Sequence, residues 1–390
     1  MRRRLSPSPG TPGEGRGEGR FRQYTREARA TTEQPDGPHM PVTRYHRQQL
    51  LPQVGPAGQA RLAAARVLLV GCGALGTTLA DLLVRAGVGF LRIADRDVVE
   101  LTNLQRQVLF DESDARQGAP KAVAAARRLA AINADVTIEP HVVDVHAANL
   151  PDLAGLEGAG PPCDLLLDGT DNVETRYLLN DLAVKHAIPW VYGACVGTEG
   201  RVMGVLPGTT ACLRCIYPAP PAVGEFATCD TAGVLGPAAA VVAATQAALA
   251  LRLLIDRTTP DHLLTFDLWA GRFHAVPTTD VRSPDCPCCG QRRFEFLNAP
   301  LGPGLTTLCG RNAVQIRTLN PTRAAPLDLS ALAGRLKPSG QVESTRYLVR
   351  CHLHEPAGLS LTVFADGRIL VHGTNNPNTA RSVAARFVGA

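Results

Sequence analysis

The sequence predicts an α/β fold: a doubly wound, mostly parallel sheet, then a small α+β unit at the C-terminus. Three observations carry this. From Arg66 onward short apolar runs alternate with segments of helical period, a glycine-rich turn joins the first run to the first helix, and two C-x-x-C pairs bracket the last long apolar helix.

The elements follow in order. Val67–Val70 is a buried apolar run, Leu75–Ala86 repeats apolar residues at helical spacing, and Phe90–Ala94 is the next strand. A helix is predicted near Pro120–Ala131, strands near Val136–Glu139 and Leu165–Asp168, a helix near Val173–His186 and a strand near Trp190–Gly193. Strands alternating with helices imply a parallel sheet covered on both faces. After Gly200 a hairpin, a cysteine-bearing loop and an Ala-rich helix over about Gly236–Asp256 are predicted. Residues 305–390 read as a separate unit whose clearest element is the hairpin LTVFADGRILVHG, turning at Asp366–Gly367. The predicted organisation is a low-complexity tail (1–39), a sheet domain (40–295) and this α+β domain (305–390).

Composition excludes several classes. With 45% hydrophobic residues in 390 the chain can bury a core. The formal charge of +5 is concentrated at the start, where residues 1–39 hold eight Arg against five acids. A nucleic-acid footprint would be a basic face on a folded domain, so none is expected. The stretch SPSPGTPGEGRGEGR cannot offset its ordering entropy and reads as disordered, with Met40 as the expected native start. No uninterrupted apolar run approaches the ~20 residues that span a bilayer, because Val234–Ile255 is broken by Gly, Pro, Thr, Gln and Arg, so no membrane span is expected. Eleven Cys without a signal peptide predict a reducing, cytoplasmic compartment with metal-binding or catalytic thiols.

VLLVGCGALG sets Gly71, Gly73 and Gly76 between strand and helix, and Asp95 ends the next strand 24 residues after Gly71. This is a Rossmann-like fingerprint: glycines let the backbone approach phosphate, the helix N-terminus favours an anion, and the acid accepts from ribose hydroxyls. Alone it fits NAD, FAD or ATP equally. Beyond it, Arg106 and Lys121 bring two cations toward the phosphates, which suits charge developing at phosphorus better than hydride transfer. Asp171 and Asn172 follow an apolar strand at the carboxyl edge, where Asp171 either caps a helix or binds Mg²⁺. CLRC (Cys212, Cys215) and CPCCG (Cys286, Cys289) suit a closed tetrahedral zinc site that staples the crossover loop, with Cys288 an extra thiol.

RYHRQ at 44–48, GCGALG at 71–76, DRD at 95–97, TNLQRQ at 102–107, GAPK at 118–121 and GTDN at 169–172 resemble the ThiF/MoeB family, over about residues 42–290. These enzymes adenylate ubiquitin-like sulfur-carrier proteins. The resemblance implies ATP on Gly71, Gly73, Ala74 and Gly76, the ribose on Asp95, with Asp97, Thr102, Asn103, Leu104, Gln105, Arg106, Gln107, Lys121 and Asn172 around the nucleotide. It further implies Mg²⁺ on Asp171, zinc on Cys212, Cys215, Cys286 and Cys289, and Arg47 reaching the ATP of a partner in a homodimer. Ala74 stands where family members often have Gly. Cys229, in FATCDTAGV, resembles a loop cysteine that can link covalently to the activated carrier, and the 305–390 unit resembles the extension of certain bacterial ThiF-like proteins. The implied reaction is attack of a carrier's Gly-Gly carboxylate on the α-phosphate of ATP, with sulfur from a separate donor such as a cysteine desulfurase or sulfurtransferase. A ThiS-type (thiamine) carrier is favoured over a MoaD-type (molybdopterin) one. The rivals are a dehydrogenase, which leaves Lys121, Arg106 and the cysteine pairs without work, a non-catalytic zinc-stabilised binding module, and a tRNA-modifying relative.

Overall fold

The computed structural model describes residues 44–158, 160–221, 232–299, 305–308, 312–316, 327–365 and 367–389. The 1–39 tail, Cys229 and Cys309 lie outside them. The chain divides into two compact units, Met1–His46 and Arg47–Ala390, and both sheets belong to the second.

The first sheet contains β1 (Arg66–Val70), β2 (Phe90–Ala94), β3 (Thr137–His141), β4 (Leu165–Asp168), β5 (Trp190–Val196), β6 (Glu199–Val205), β7 (His262–Asp267) and β8 (Arg272–Pro277), in the order β3-β2-β1-β4-β5-β6-β7-β8. Strands β1 to β5 run parallel and β6 to β8 antiparallel. The chain reverses direction across the sheet between β1 and β4, and such a crevice is where ligands bind in doubly wound folds. The helices of more than four residues here are α1 (Gly55–Ala64), α2 (Ala74–Ala86), α3 (Glu112–Gln117), α4 (Lys121–Ile132), α5 (Val173–His186) and α6 (Gly236–Asp256). Strand alternation divides β1 between two cores. Val67 and Leu69 face α2, α4 and α6, while Leu68 and Val70 face α5. Every residue of β4 is buried, which explains its unbroken LLLD run.

One expectation needs correction and two features add to the sequence reading. The predicted hairpin begins at Trp190 and turns at 197–198, before Gly200. A second hairpin, β7–β8, was not anticipated: β8 is exposed along its whole length, so it carries no apolar alternation to read. And α6 is long and apolar enough by length and composition to cross a membrane, with mean hydropathy 1.9, because its scattered polar residues barely lower the average. Here it is a core helix against α2, β5 and β6, and its Gln246 donates to the Asp168 carbonyl at 2.8 Å.

The second sheet is antiparallel, with β9 (Leu305–Leu308), β10 (Ala313–Ile316), β11 (Gly340–Ser344), β12 (Leu348–Leu353), β13 (Ser360–Phe364) and β14 (Ile369–His372) ordered β11-β12-β13-β14-β10-β9. Helices α7 (Leu329–Leu336) and α8 (Pro377–Phe387) cover one face through Leu332, Leu336, Val383 and Ala384. Asp328 and Asn376 cap them through their side chains. The other face reaches the first sheet domain, where Leu348 and Phe364 pack on Val98.

Candidate nucleotide site and metal centre

The carboxyl ends of β1, β2 and β4 converge. Gly71 N–H bonds the Ala94 carbonyl and Gly169 N–H the Val70 carbonyl, both at 2.8 Å. Gly71 has φ +91°, and a Cβ there would lie 2.6 Å from the Gly169 carbonyl oxygen; at Gly76 a Cβ would overlap the Gly71 carbonyl. Only glycine fits either position. Gly73 precedes α2 without a side-chain cap, so the first N–H groups of that helix stay open to an anion.

Asp95 is buried and ties the site together: its carboxylate accepts from Cys72 N–H at 2.6 Å and Asp97 N–H at 2.7 Å. Burial raises its pKa, and nearby Lys121 opposes that rise. Lys121, buried at the first position of α4, pairs Asp97 Oδ2 at 3.2 Å, and its N–H bonds the Asp97 carbonyl. A buried ammonium needs such a partner. Arg106 is half-buried and donates to the Thr102 carbonyl at 3.0 Å. Asn103 closes a reciprocal capping box with Glu100, Thr102 and Gln105 are exposed, and Leu104 packs on the core. Gln107 is buried over Gly73, and its Oε1 has no hydrogen-bond partner among the described residues.

Asn172 supplies the cap of α5, its Oδ1 accepting Thr175 N–H, which leaves the exposed Asp171 carboxylate open to a cation. Arg47 does not join this group. Its neighbour Gln48 bonds the Ala86 carbonyl at the far end of α2, about 20 Å along that helix from the glycine turn.

Sequence reasoning missed a buried pair beneath the site. Arg176 Nε meets Asp168 Oδ2 at 3.1 Å and Arg176 Nη2 bonds the Thr170 carbonyl, so the loop carrying Asp171 is held from below. Both partners stand in DGTDNVETR, an acid closing an apolar strand with Arg eight residues on, but nothing in that run tells a buried pair from a solvated cap.

Cys212, Cys215, Cys286 and Cys289 bring their sulfurs within 4.8 Å of one another. Separations are 3.7 Å for 212–286, 3.9 Å for 212–215 and 3.4 Å for 215–289. Zinc–sulfur bonds of ~2.3 Å in a tetrahedron need sulfurs about 3.8 Å apart, so the donor set fits zinc. Hydrogen bonds from neighbouring thiols hold the Cys212 pKa down, and its proximity pushes the thiols of Cys215 and Cys289 up, as expected of thiols crowded into one cluster. Cys288 stands outside the four: Asn180 Nδ2 donates to it at 3.2 Å while Asn180 Oδ1 accepts Leu213 N–H, joining the two knuckles through α5. Arg214 pairs Glu295 at 2.8 Å across the same seam. The start of α6 lies close to the nucleotide side: a Cβ at Gly236 would be 3.3 Å from the Gln105 carbonyl and 3.6 Å from Arg106 Cβ.

Comparison with known proteins agrees on one lineage. The sequence pattern of the ThiF family matches residues 45–288. The sulfur carrier protein ThiS adenylyltransferase of Bacillus subtilis is 44% identical over 347 residues, covering 89% of this chain and 99% of that protein. The sulfur carrier protein adenylyltransferase of Thermus thermophilus is 42% identical over 256 residues, 64% of this chain and 91% of that protein. Among solved structures, E. coli MccB with ATP superposes with a TM-score of 0.55 at 23% identity, over 64% of this chain and 75% of that one, and shares the fold.

Proposed function

We propose, since the chain belongs to the ThiF family, that it adenylates the C-terminal Gly-Gly carboxylate of a ubiquitin-like sulfur-carrier protein of the ThiS type, releasing pyrophosphate. It is an adenylyltransferase, as its relatives are. The observation that carries the carrier choice is the length of the Bacillus subtilis match: 347 aligned residues cannot fit within the 288 that end the family pattern, so likeness to a ThiS adenylyltransferase runs on into the second sheet. The Thermus thermophilus relative names no single carrier, which keeps a MoaD-type carrier as the second reading.

The incoming carboxylate is ionised at neutral pH, so no general base is required and catalysis is positioning plus charge stabilisation. In this reading Asp95 holds the ribose and the open N–H groups at the start of α2 receive phosphate. Lys121 and Arg106 offset charge building on phosphorus. Asp171 would hold Mg²⁺, which neutralises phosphate charge when bound. The four-cysteine centre would hold zinc in a structural role. Arg47, remote from its own glycine turn, would serve the site of a second copy in a homodimer. Cys229 is the thiol proposed to link to the activated carrier, and sulfur would come from a separate donor. The nine described cysteines are all free thiols, in keeping with a reducing cytoplasm.

The test is ATP–pyrophosphate exchange by zinc-replete protein with ThiS-type and MoaD-type carriers, each intact and lacking its final Gly. Exchange only with intact ThiS-type carrier is expected. Exchange with neither would leave the non-catalytic binding module.

A further inference from the structure

Arg96 stands between the ribose acid Asp95 and Asp97, the partner of Lys121, and the second sheet holds it at both ends. Its carbonyl accepts Arg368 Nη1 at 2.9 Å. Its guanidinium meets Asp144 Oδ1 at 3.1 Å, and the other oxygen of Asp144 accepts Gln315 Nε2 at 2.9 Å. Gln315 and Arg368 are both buried. One residue past Asp97, Val98 packs on Leu348 and Phe364, and Leu348 also lies against Gly118 of the GAPK turn, 3.4 Å from where a Cβ would be. Both segments that carry the Asp97–Lys121 pair therefore rest on one face of the second sheet.

A sheet that merely adhered would do so best with apolar residues, because a buried amide or guanidinium gains little net binding over the water it gives up. What such groups do give is direction. Two of them converge on one residue, Arg96, whose charge sits among Asp144, Asp97, Asp171 and Asp95. We propose that the second sheet is a positioning element for the ATP site, acting through Gln315 on Asp144 and through Arg368 on the Arg96 backbone. The proposal rests on the ATP reading given above. Gln315, Asp144 and Arg368 are positioning residues: they fix the turn 95–98, so they govern how tightly nucleotide is held more than how fast it reacts.

The experiment compares full-length Gln315→Leu, which keeps size and removes the amide, with Asp144→Asn, which keeps the shape and removes the charge. Affinity for a non-hydrolysable ATP analogue is measured alongside KM for ATP, KM for carrier and kcat in exchange, and melting temperature without nucleotide. Each variant should weaken analogue binding and raise KM for ATP about fivefold to tenfold, with kcat within about twofold and melting within a few degrees. The double variant should be little worse than the stronger single, as befits one chain of contacts. Analogue affinity within about twofold of the parent in both variants overturns the proposal, as does a rise confined to KM for carrier, which would make the sheet a docking surface. A parent protein that binds no analogue refutes the ATP reading itself, and the proposal with it.

Discussion

The glycine turn and the cysteine centre are two solutions to one problem, fixing loops at the edges of a sheet. Residues 71–76 do it within six consecutive positions by leaving out side chains. The cysteine centre joins segments more than 70 residues apart and, in the proposed reading, relies on an added ion. The first kind of order is built into the backbone and lasts as long as the strand and helix pack; the second would be removable with the ion. The difference also predicts how each fails.

The sharpest break is Gly76→Ala. Its methyl would overlap the Gly71 carbonyl, so the turn must open, with a cost of about 3 kcal/mol or more and ATP binding lost. Calorimetry and analogue binding check this, and a variant that melts and binds like the parent would show the turn to be looser than described. Next is Lys121→Met, which removes the cation and the closer of two partners of Asp97, leaving it the longer Arg96 contact at 3.9 Å. Exchange should fall about 10²–10³-fold while zinc content stays that of the parent.

A smaller effect is expected from chelation, or from Cys286→Ser: melting should drop by several degrees and recover when zinc returns to the parent. Analogue affinity measured well below the transition should change less than about threefold. Equal loss of nucleotide binding would dissolve the contrast between the two regions. The smallest effect concerns pH. Burial raises the Asp95 carboxyl, so it takes up its proton above the usual carboxylate value of about 4, and ATP affinity should begin to fall there as pH is lowered. The stability sign is opposite. The folded state binds this proton more readily than the unfolded one, so the contribution of Asp95 to stability declines as pH rises from the ordinary range through its folded value. An Asp95→Asn variant should show a flatter affinity profile.

Legibility from sequence followed the same division. The turn, β2 and β4, α5 and α6 could be read because their signals are local: φ-permissive glycines, apolar runs, helical period. The paired knuckles could be read because thiolate spacing is chemistry written in sequence. Three things could not. Strand β8 hides because it is exposed along its length among the described residues, so burial imposes no sustained pattern on it. The Asp168–Arg176 pair hides because a buried acid and a solvated cap look alike in one dimension, and the cap of α5 fell to Asn172. The contact of Arg368 with Arg96 joins residues 272 apart, for which no local pattern exists. For α6 the breaks at Gly, Pro, Gln and Arg mattered, since by overall length and composition alone a core helix and a lipid-spanning one look alike.

The approach of Gly236 to Gln105 has a mechanical meaning. Helix α6 is 21 residues long, about 30 Å, and backs several strands, so it moves as a rod and hardly bends. Its first turn bears on the backbone beside Arg106, as a pawl bears on a ratchet tooth. Any side chain larger than hydrogen at position 236 would therefore press on the Gln105 carbonyl beside Arg106 before the rod could yield.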